Sequence, residues 1–198
     1  CEQMEDPKLA KGIVRREVIE TVTPGAAFSD DLLDGVRNNF LCALQLIGDV
    51  AGISAVDVST GEFRLVLARS RDADAVLARL SPREIIIPAG NAAAASLAGA
   101  LGALLTEREA WEFEEERAER VLTDHFAVSS LEGFGIAPED GPAVGAAGAL
   151  TRYLRELQPG GLPHLARPFV ERPGSVMPID ERTRRNLELV ESLRGGDG

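Results

Sequence analysis

Several residue types and patterns are scarce in this sequence, and each shortage excludes a class of protein. Its 198 residues include two cysteines, Cys1 and Cys42, which are too few for a disulfide framework and favour a reducing compartment. Aromatic residues make up only 5%, so the core has to be aliphatic. Because no apolar run approaches the roughly 20 residues that span a bilayer and no signal peptide is present, we expect a cytoplasmic protein without a membrane partner.

Clustered positive charge is also lacking, since the formal net charge is -11. Contacts to phosphates need grouped lysine and arginine side chains, so the composition argues against an independent nucleic-acid binder. One basic spot, at Arg182, Arg184 and Arg185, has acidic neighbours and is expected to be a solvated helix face. Weak, salt-sensitive DNA binding is therefore the most that we expect of this chain.

The sequence signatures of common catalytic sites are missing as well. No GxxxxGK[ST] phosphate loop occurs, and no GxSxG surrounds Ser129 or Ser130. His125 and His164 have no further His or Cys at the spacing of zinc ligands. We therefore predict that this chain is not an enzyme by itself and has no catalytic residue, cofactor site or metal site.

The apolar residues that are present predict a mixed α/β fold. Three strands, at about 42–48, 53–58 and 63–68, are separated by short turns and should form an antiparallel meander. The apolar run EIIIPA is typical of a buried central strand, and LLTEREAWEFE is compatible with one more strand that has Trp111 and Phe113 on the same side. Helices in between indicate a mixed sheet with helices on its faces. Four are expected, in DADAVLARLSP, NAAAASLAGALGALL, EEERAERVLTDHF and PAVGAAGALTRYLRELQP.

Two of these helices carry predictions about particular faces. In the third helix, at about 115–126, Val121, Leu122 and Phe126 should face the sheet. The fourth helix should bury an apolar stripe at helical spacing, made of Ala147, Leu150, Leu154 and Leu157.

Changes in composition divide the chain into three parts. The first contains a predicted strand with Val14, Val18 and Val22, which TPG ends, and AAFSDDLLDGVRNNF after it is interpreted as a linker. The segment GGLPHLARPFVERPGSVMPID has no period and is interpreted as a connection into a helix at about 181–194, whose apolar stripe needs a partner surface. That unpartnered stripe, and a start without Met, indicate a piece of a longer protein.

Asp57, in AVDVSTGEFRL, is the residue with the most chemical interest. An Asp on a strand, followed by a small-residue turn and a return strand, is the arrangement of RNase H-like and actin-like folds, where it often binds a divalent metal. Glu62 or Glu84 would be the partner carboxylate of such a site. The alternative, which a single acidic residue favours, is a solvent-facing Asp57 between the inward-facing Val56 and Val58.

Several segments, taken in order, resemble the MutS family of bacterial mismatch-recognition proteins. The start, CEQMEDPKLAKGIVRREVIETVTPG, resembles the end of the family's mismatch-binding domain. RNNFLCAL, GISAVDVSTGEFRL, REIIIP and WEFE resemble its connector domain, while GALTRYLRELQ, LPHL and MPIDERTRRNLEL resemble the beginning of its core domain. The resemblance implies that residues 1–25 end the mismatch-binding domain, 26–158 form the connector, and 159–198 begin the core or lever domain.

The resemblance also implies a fold and a function. The connector of this family is RNase H-like without nuclease activity, transmits nucleotide state between the core and the mismatch-binding domain, and offers a docking surface to MutL. The full-length family recognises mismatched DNA, forms homodimers and is an ATPase that uses ATP and Mg²⁺. Its mismatch wedge and its P-loop would lie outside this chain.

Much of the implied MutL-docking surface lies on the helix after WEFE, whose polar face includes Arg117, Arg120 and Thr123. The family's residue types are not kept at these positions, so the implication concerns the surface rather than its side chains. Two hypotheses from different classes therefore stand. One is a non-catalytic connector that binds a protein partner, and the other is a metal-dependent nuclease or nucleotide-handling domain on an RNase H-like scaffold.

Overall fold

The computed structural model describes residues 2–3, 16–17, 23, 39–158 and 165–172, and the structural statements below concern those residues. They contain two short paired strands, a six-stranded sheet and four α-helices. In chain order the elements are β1 (Glu2–Gln3), β2 (Arg16–Glu17), β3 (Phe40–Ile47), β4 (Val50–Asp57), β5 (Phe63–Arg69), α1 (Ala73–Leu80), β6 (Glu84–Pro88), α2 (Ala92–Ala100), β7 (Leu104–Arg108), α3 (Glu115–Phe126), α4 (Gly141–Leu157) and β8 (Phe169–Glu171).

The six-stranded sheet is mixed and has the strand order β7-β6-β3-β4-β5-β8. β3, β4 and β5 are antiparallel neighbours joined by short turns, which confirms the predicted meander. β6 runs parallel to β3, β7 parallel to β6, and β8 parallel to β5. An antiparallel meander extended by parallel strands is the RNase H-like arrangement that the resemblance implied, and the predicted α/β class is confirmed.

Helices cover both faces of this sheet, so neither face of its central strands is exposed to solvent. Successive side chains of a strand point to opposite faces. On one face, Leu41 and Ile86 pack in the cluster that includes α4. On the other, Cys42 and Ile85 pack in the cluster that includes α1 and α2. Every residue of β6 is buried, as its continuous apolar run predicted.

Helix α4 is the most deeply buried helix of the fold, and its four predicted stripe residues are all buried. Two glycines allow its close packing, because any side chain at either position would collide with backbone atoms. A Cβ on Gly52 of β4 would meet the backbone of Pro142 at the start of α4. A Cβ on Gly148 of α4 would meet the Cα of Ala118 on α3. The central helix is therefore held tightly between β4 and α3.

The orientation predicted for α3 is wrong in part, because α3 packs mainly on α4 rather than on the sheet. The sheet face in question is already occupied by α4, so α3 forms an outer layer. Ala118 and Leu122, four residues apart, are its buried positions, whereas Val121 is half-buried. Phe126 is partly buried and reaches the ring of Phe63, with the ring centroids 6.3 Å apart.

The segment after β7 also differs from its prediction. The strand ends at Arg108, and Ala110–Phe113 form a 3₁₀ turn. Three residues per turn place positions two apart on different sides, unlike in a strand. Trp111 is accordingly 36% exposed while Phe113 is 1% exposed, so the expectation of a shared side is wrong.

The strand β8 was missed, because its three residues lie in a segment rich in proline and glycine and are too short to show a period. It pairs with β5, so the sheet continues past Gln158. The predicted helix at about 181–194 and most of the predicted linker lie outside the described residues. The last residue of that linker, Phe40, already begins β3. The bounds of the three predicted domains stay predictions. Of the predicted first strand, Arg16–Glu17 is described and pairs with Glu2–Gln3. Within the described ranges, no helix combines the length and the apolar character needed to cross a membrane.

Candidate functional site

Asp57 is buried rather than solvent-facing, which corrects one of the two readings of this residue. It is 1% exposed, because it ends a central strand whose two faces are both covered. Its Oδ1 accepts hydrogen bonds from the backbone N–H of Ser59, at 2.9 Å, and from the Ser59 hydroxyl, at 2.5 Å. Aspartates commonly bond to backbone two residues further on in turns. Asp57 therefore fixes the turn between β4 and β5.

The carboxylates that the metal hypothesis would combine with Asp57 are directed elsewhere. Asp57 opposes Phe40 on β3, whereas Glu84 opposes Leu41, so the two acids lie on opposite faces of the sheet. Glu62 forms an ion pair with Arg64, at 2.8 Å. Among the described residues there is no group of three or more His, Cys, Asp or Glu side chains placed to hold a metal ion. The geometry thus does not supply the acidic cluster that a metal-dependent nuclease would use.

Glu84, which the sequence analysis named only as a partner of Asp57, is the centre of a buried polar network. It is 0% exposed at the start of β6. Its Oε1 accepts hydrogen bonds from the hydroxyls of Thr106, at 2.8 Å, and Tyr153, at 2.7 Å. Its Oε2 accepts one from the hydroxyl of Thr23, at 2.6 Å. Short hydrogen bonds to a carboxylate are among the strong ones in proteins. The sequence gives one indication of this role, which is that Glu84 is an acidic residue at the start of an otherwise apolar strand.

The network continues from Glu84 towards the surface through Tyr153. Burial, together with the hydrogen bond to Glu84, raises the pKa of Tyr153 to about 12, so its phenol stays protonated and donates at neutral pH. The guanidinium of Arg108 lies over the Tyr153 ring, 5.2 Å from its centroid. Arg108 also forms ion pairs with Glu112, at 3.0 Å, and with Glu156, at 2.7 Å. β6, β7 and α4 are thereby joined by polar contacts near the β7 edge of the sheet.

A second buried carboxylate, Asp140, holds the residue that follows β8. Its two oxygens each lie 2.7 Å from a guanidinium nitrogen of Arg172, in a bidentate pair. Asp140 also accepts a hydrogen bond from the backbone N–H of Ala137, at 2.9 Å. Since Asp140 precedes α4 directly, this pair ties the end of the described chain to the start of the central helix.

The residues predicted to form a docking surface lie on α3, and their surroundings differ. Arg120 is mostly exposed, with 76% of its side chain accessible, and lies 3.8 Å from Glu116. Arg117 is exposed, forms an ion pair with Glu114 at 2.6 Å, and lies over the ring of Trp111. Thr123 is only half-exposed and donates its hydroxyl to the backbone carbonyl of Glu119, at 2.9 Å. The expected solvent exposure thus holds for the two arginines and is incomplete for Thr123, and the docking role stays a prediction.

An open cavity of about 430 Å³ lies between the end of β3 and the starts of α3 and α4. Apolar side chains and three consecutive glutamates, Glu114, Glu115 and Glu116, line it. Negative charge repels phosphate groups, so this cavity is unsuited to a nucleotide. It gives no support to the nucleotide-handling hypothesis.

Comparison with known proteins places this fold and these residues in a family. The chain matches the family model of MutS domain II over residues 39–166 and that of MutS domain I over residues 1–31. It is 41% identical over 201 residues to the DNA mismatch repair protein MutS of Chlorobaculum parvum. This alignment covers 99% of the present chain and 23% of that relative. The MutS of Symbiobacterium thermophilum is 41% identical over 203 residues, with the same two coverages.

The chain thus spans 23% of the length of these curated relatives. Among solved structures, "T. thermophilus RuvC in complex with Holliday junction substrate" is similar, with a TM-score of 0.40 and 12% identity, over 59% of this chain and 95% of that one. So distant a likeness does not bear on function. The domain II match alone extends over more than half of the sequence, and the chain belongs to the MutS family.

Proposed function

We propose that this chain is a connector segment of a MutS protein and has no catalytic activity by itself. In the full-length protein it links the mismatch-binding domain to the core, transmits nucleotide state between them, and docks MutL. The observation that carries this proposal is the match to MutS domain II over residues 39–166, nearly the same residues that build the six-stranded sheet. Mismatched DNA, a second MutS copy, ATP and Mg²⁺ are partners of the full-length protein in this proposal, and the chain by itself holds no cofactor.

The packing of α4 supports a role in transmission. An element that passes a movement from one neighbour to another has to move as a unit rather than deform. Close contact at Gly52 and Gly148 leaves α4 no room to slide against β4 or α3. A force applied at one end of the connector is therefore carried to the other end by the whole sheet and its central helix.

The exposed arginines of α3 are the proposed contacts to MutL. Arg117 and Arg120 lie one helical turn apart and both reach solvent, so they present two guanidinium groups on one face. Reversing their charge in full-length MutS, as Arg117→Glu with Arg120→Glu, should weaken MutL binding by roughly tenfold or more, because a few anchors carry most of an interface's affinity. The measurement is MutL affinity in the presence of ATP and a mismatched duplex.

A matched control uses the same charge change elsewhere on the connector. Arg69 ends β5 and Arg71 lies just before α1; both are exposed, and both are remote from α3 in the sequence. Arg69→Glu with Arg71→Glu should leave MutL affinity within twofold of wild type, because most surface residues contribute little to the affinity of an interface. Equal affinities for both double variants and wild type, with unchanged melting temperatures, would move the docking surface away from α3.

A further inference from the structure

One hydrogen bond joins the two parts of the chain that match different family domains. Thr23 lies within residues 1–31, which match MutS domain I, and Glu84 lies within residues 39–166, which match domain II. The Thr23 hydroxyl donates to Oε2 of Glu84 at 2.6 Å, across 61 residues of sequence. Thr23 is itself half-buried. The contact is thus a tertiary one, between residues far apart in the sequence.

The acceptor of this bond, the Glu84 carboxylate, is not accessible to bulk water. Glu84 is 0% exposed, and a buried carboxylate is tolerated when hydrogen-bond donors surround it. Within the connector, Thr106 from β7 and Tyr153 from α4 both donate to Oε1. The other oxygen faces Thr23. Two elements of the connector thereby fix the carboxylate in the orientation in which it receives Thr23.

We propose that Glu84 is a latch, a buried carboxylate that holds Thr23 against the connector through the Thr23 hydroxyl. Releasing Thr23 withdraws a charge-assisted hydrogen bond from Oε2, which is costly for a buried carboxylate. Glu84 is a positioning residue in this role. The latch concerns the chain itself, and it does not depend on MutL docking or on nucleotide binding.

The test removes single hydroxyls that bond to the same carboxylate from different sides. Thr23→Val keeps the shape of the side chain but removes its donor, Thr23→Ser keeps the donor, and Thr106→Val removes a donor that belongs to the connector. Hydrogen exchange of the 198-residue chain, followed by mass spectrometry, compares a peptide that contains Thr23 with peptides from β6 and β7. Each variant is measured beside wild type under identical conditions.

Thr23→Val should raise the exchange rate of the Thr23 peptide by roughly tenfold, the effect of losing a hydrogen bond to a charged group, and leave β6 and β7 unchanged. Thr23→Ser should behave as wild type, and Thr106→Val should speed exchange in β6 and β7. Adding Thr23→Val to Glu84→Gln should change the Thr23 peptide by less than about twofold, since the charged acceptor is already gone.

Three results would overturn the latch. One is a Thr23 peptide that exchanges in wild type at the rate of an unfolded chain. Another is a Thr23→Val variant that exchanges as wild type does. The third is a Thr23→Val variant that loosens β6 and β7 as much as the Thr23 peptide. If Glu84→Gln does not fold, the comparison of the valine and serine variants at Thr23 still decides between these outcomes.

Discussion

Asp57 and Glu84 are two buried acids on the strands that flank β3, and they hold the fold in different ways. The side chain of Asp57 bonds to Ser59, two residues away, and fixes a turn. Glu84 bonds to side chains 22, 61 and 69 residues away and joins separate parts of the molecule. Asp140, whose partner Arg172 is 32 residues away, belongs with Glu84. Burial alone therefore does not show whether a carboxylate stabilises local or long-range structure. The positions of its hydrogen-bond partners in the sequence show this.

The largest effect is expected when the long-range acid is removed. Glu84→Ala should lower the free energy of unfolding by about 4 kcal/mol, because it leaves the hydroxyls of Tyr153 and Thr106 without this acceptor and opens a cavity. Chemical denaturation followed by circular dichroism measures the change. A loss below about 1 kcal/mol would place Glu84 in the same class as a local turn residue.

A second, smaller effect concerns the donor side of the same network. Tyr153 is the single tyrosine of the chain, so phenolate absorbance near 295 nm reports on it alone. Its pKa is about 12 in the fold, and about 10 is usual for a free tyrosine. The folded state thus binds this proton more tightly, so its stabilising contribution is complete below about pH 10 and is lost as the pH rises from there to about 12.

The absorbance titration should accordingly have its midpoint near pH 12 in wild type, with circular dichroism on the same sample to follow the fold. In Glu84→Gln the midpoint should move to lower pH, because the negative acceptor that favours the protonated phenol is gone. Equal midpoints for the two proteins would show that the carboxylate does not contribute to the raised pKa of Tyr153.

The smallest effect is expected at the local acid. Asp57→Asn keeps an acceptor oxygen for Ser59, so we expect a loss of about 1 kcal/mol or less in the free energy of unfolding. The same variant tests the proposal that this chain has no turnover. Hydrolysis of ATP or DNA that needs Mg²⁺ and disappears in Asp57→Asn would revive the metal hypothesis, and no activity in either protein is the expected result.

The parts of the fold that the sequence predicted are those set by local sequence patterns. Short β-rich runs separated by turns along 42–68 were sufficient for the meander, and the spacing of Leu150, Leu154 and Leu157 was sufficient for the buried side of α4. The partner of α3 was not predictable in this way. A helical stripe indicates which side is apolar, but not whether a sheet or another helix covers it.

In the candidate site, too, features set by local sequence could be predicted and features set by tertiary contacts could not. Exposure of Arg117 and Arg120 followed from their helical positions, whereas the half-burial of Thr123 depends on how α3 lies against its neighbours. The role of Glu84 was missed because its donors come from three distant places in the chain. A single sequence carries no signal for such contacts beyond the unusual position of an acid in an apolar strand.

The pairing of β5 with β8 has a consequence for synthesis on the ribosome. Arg64 aligns with Phe169, so the edge of β5 is completed by residues made roughly one hundred positions later. At about 5–20 residues per second, that edge waits about 5–20 s with its backbone N–H and C=O groups unpaired. An unpaired edge is a template for strands of other nascent chains. The β5 edge of this sheet is thus open to such pairing until β8 has been synthesised.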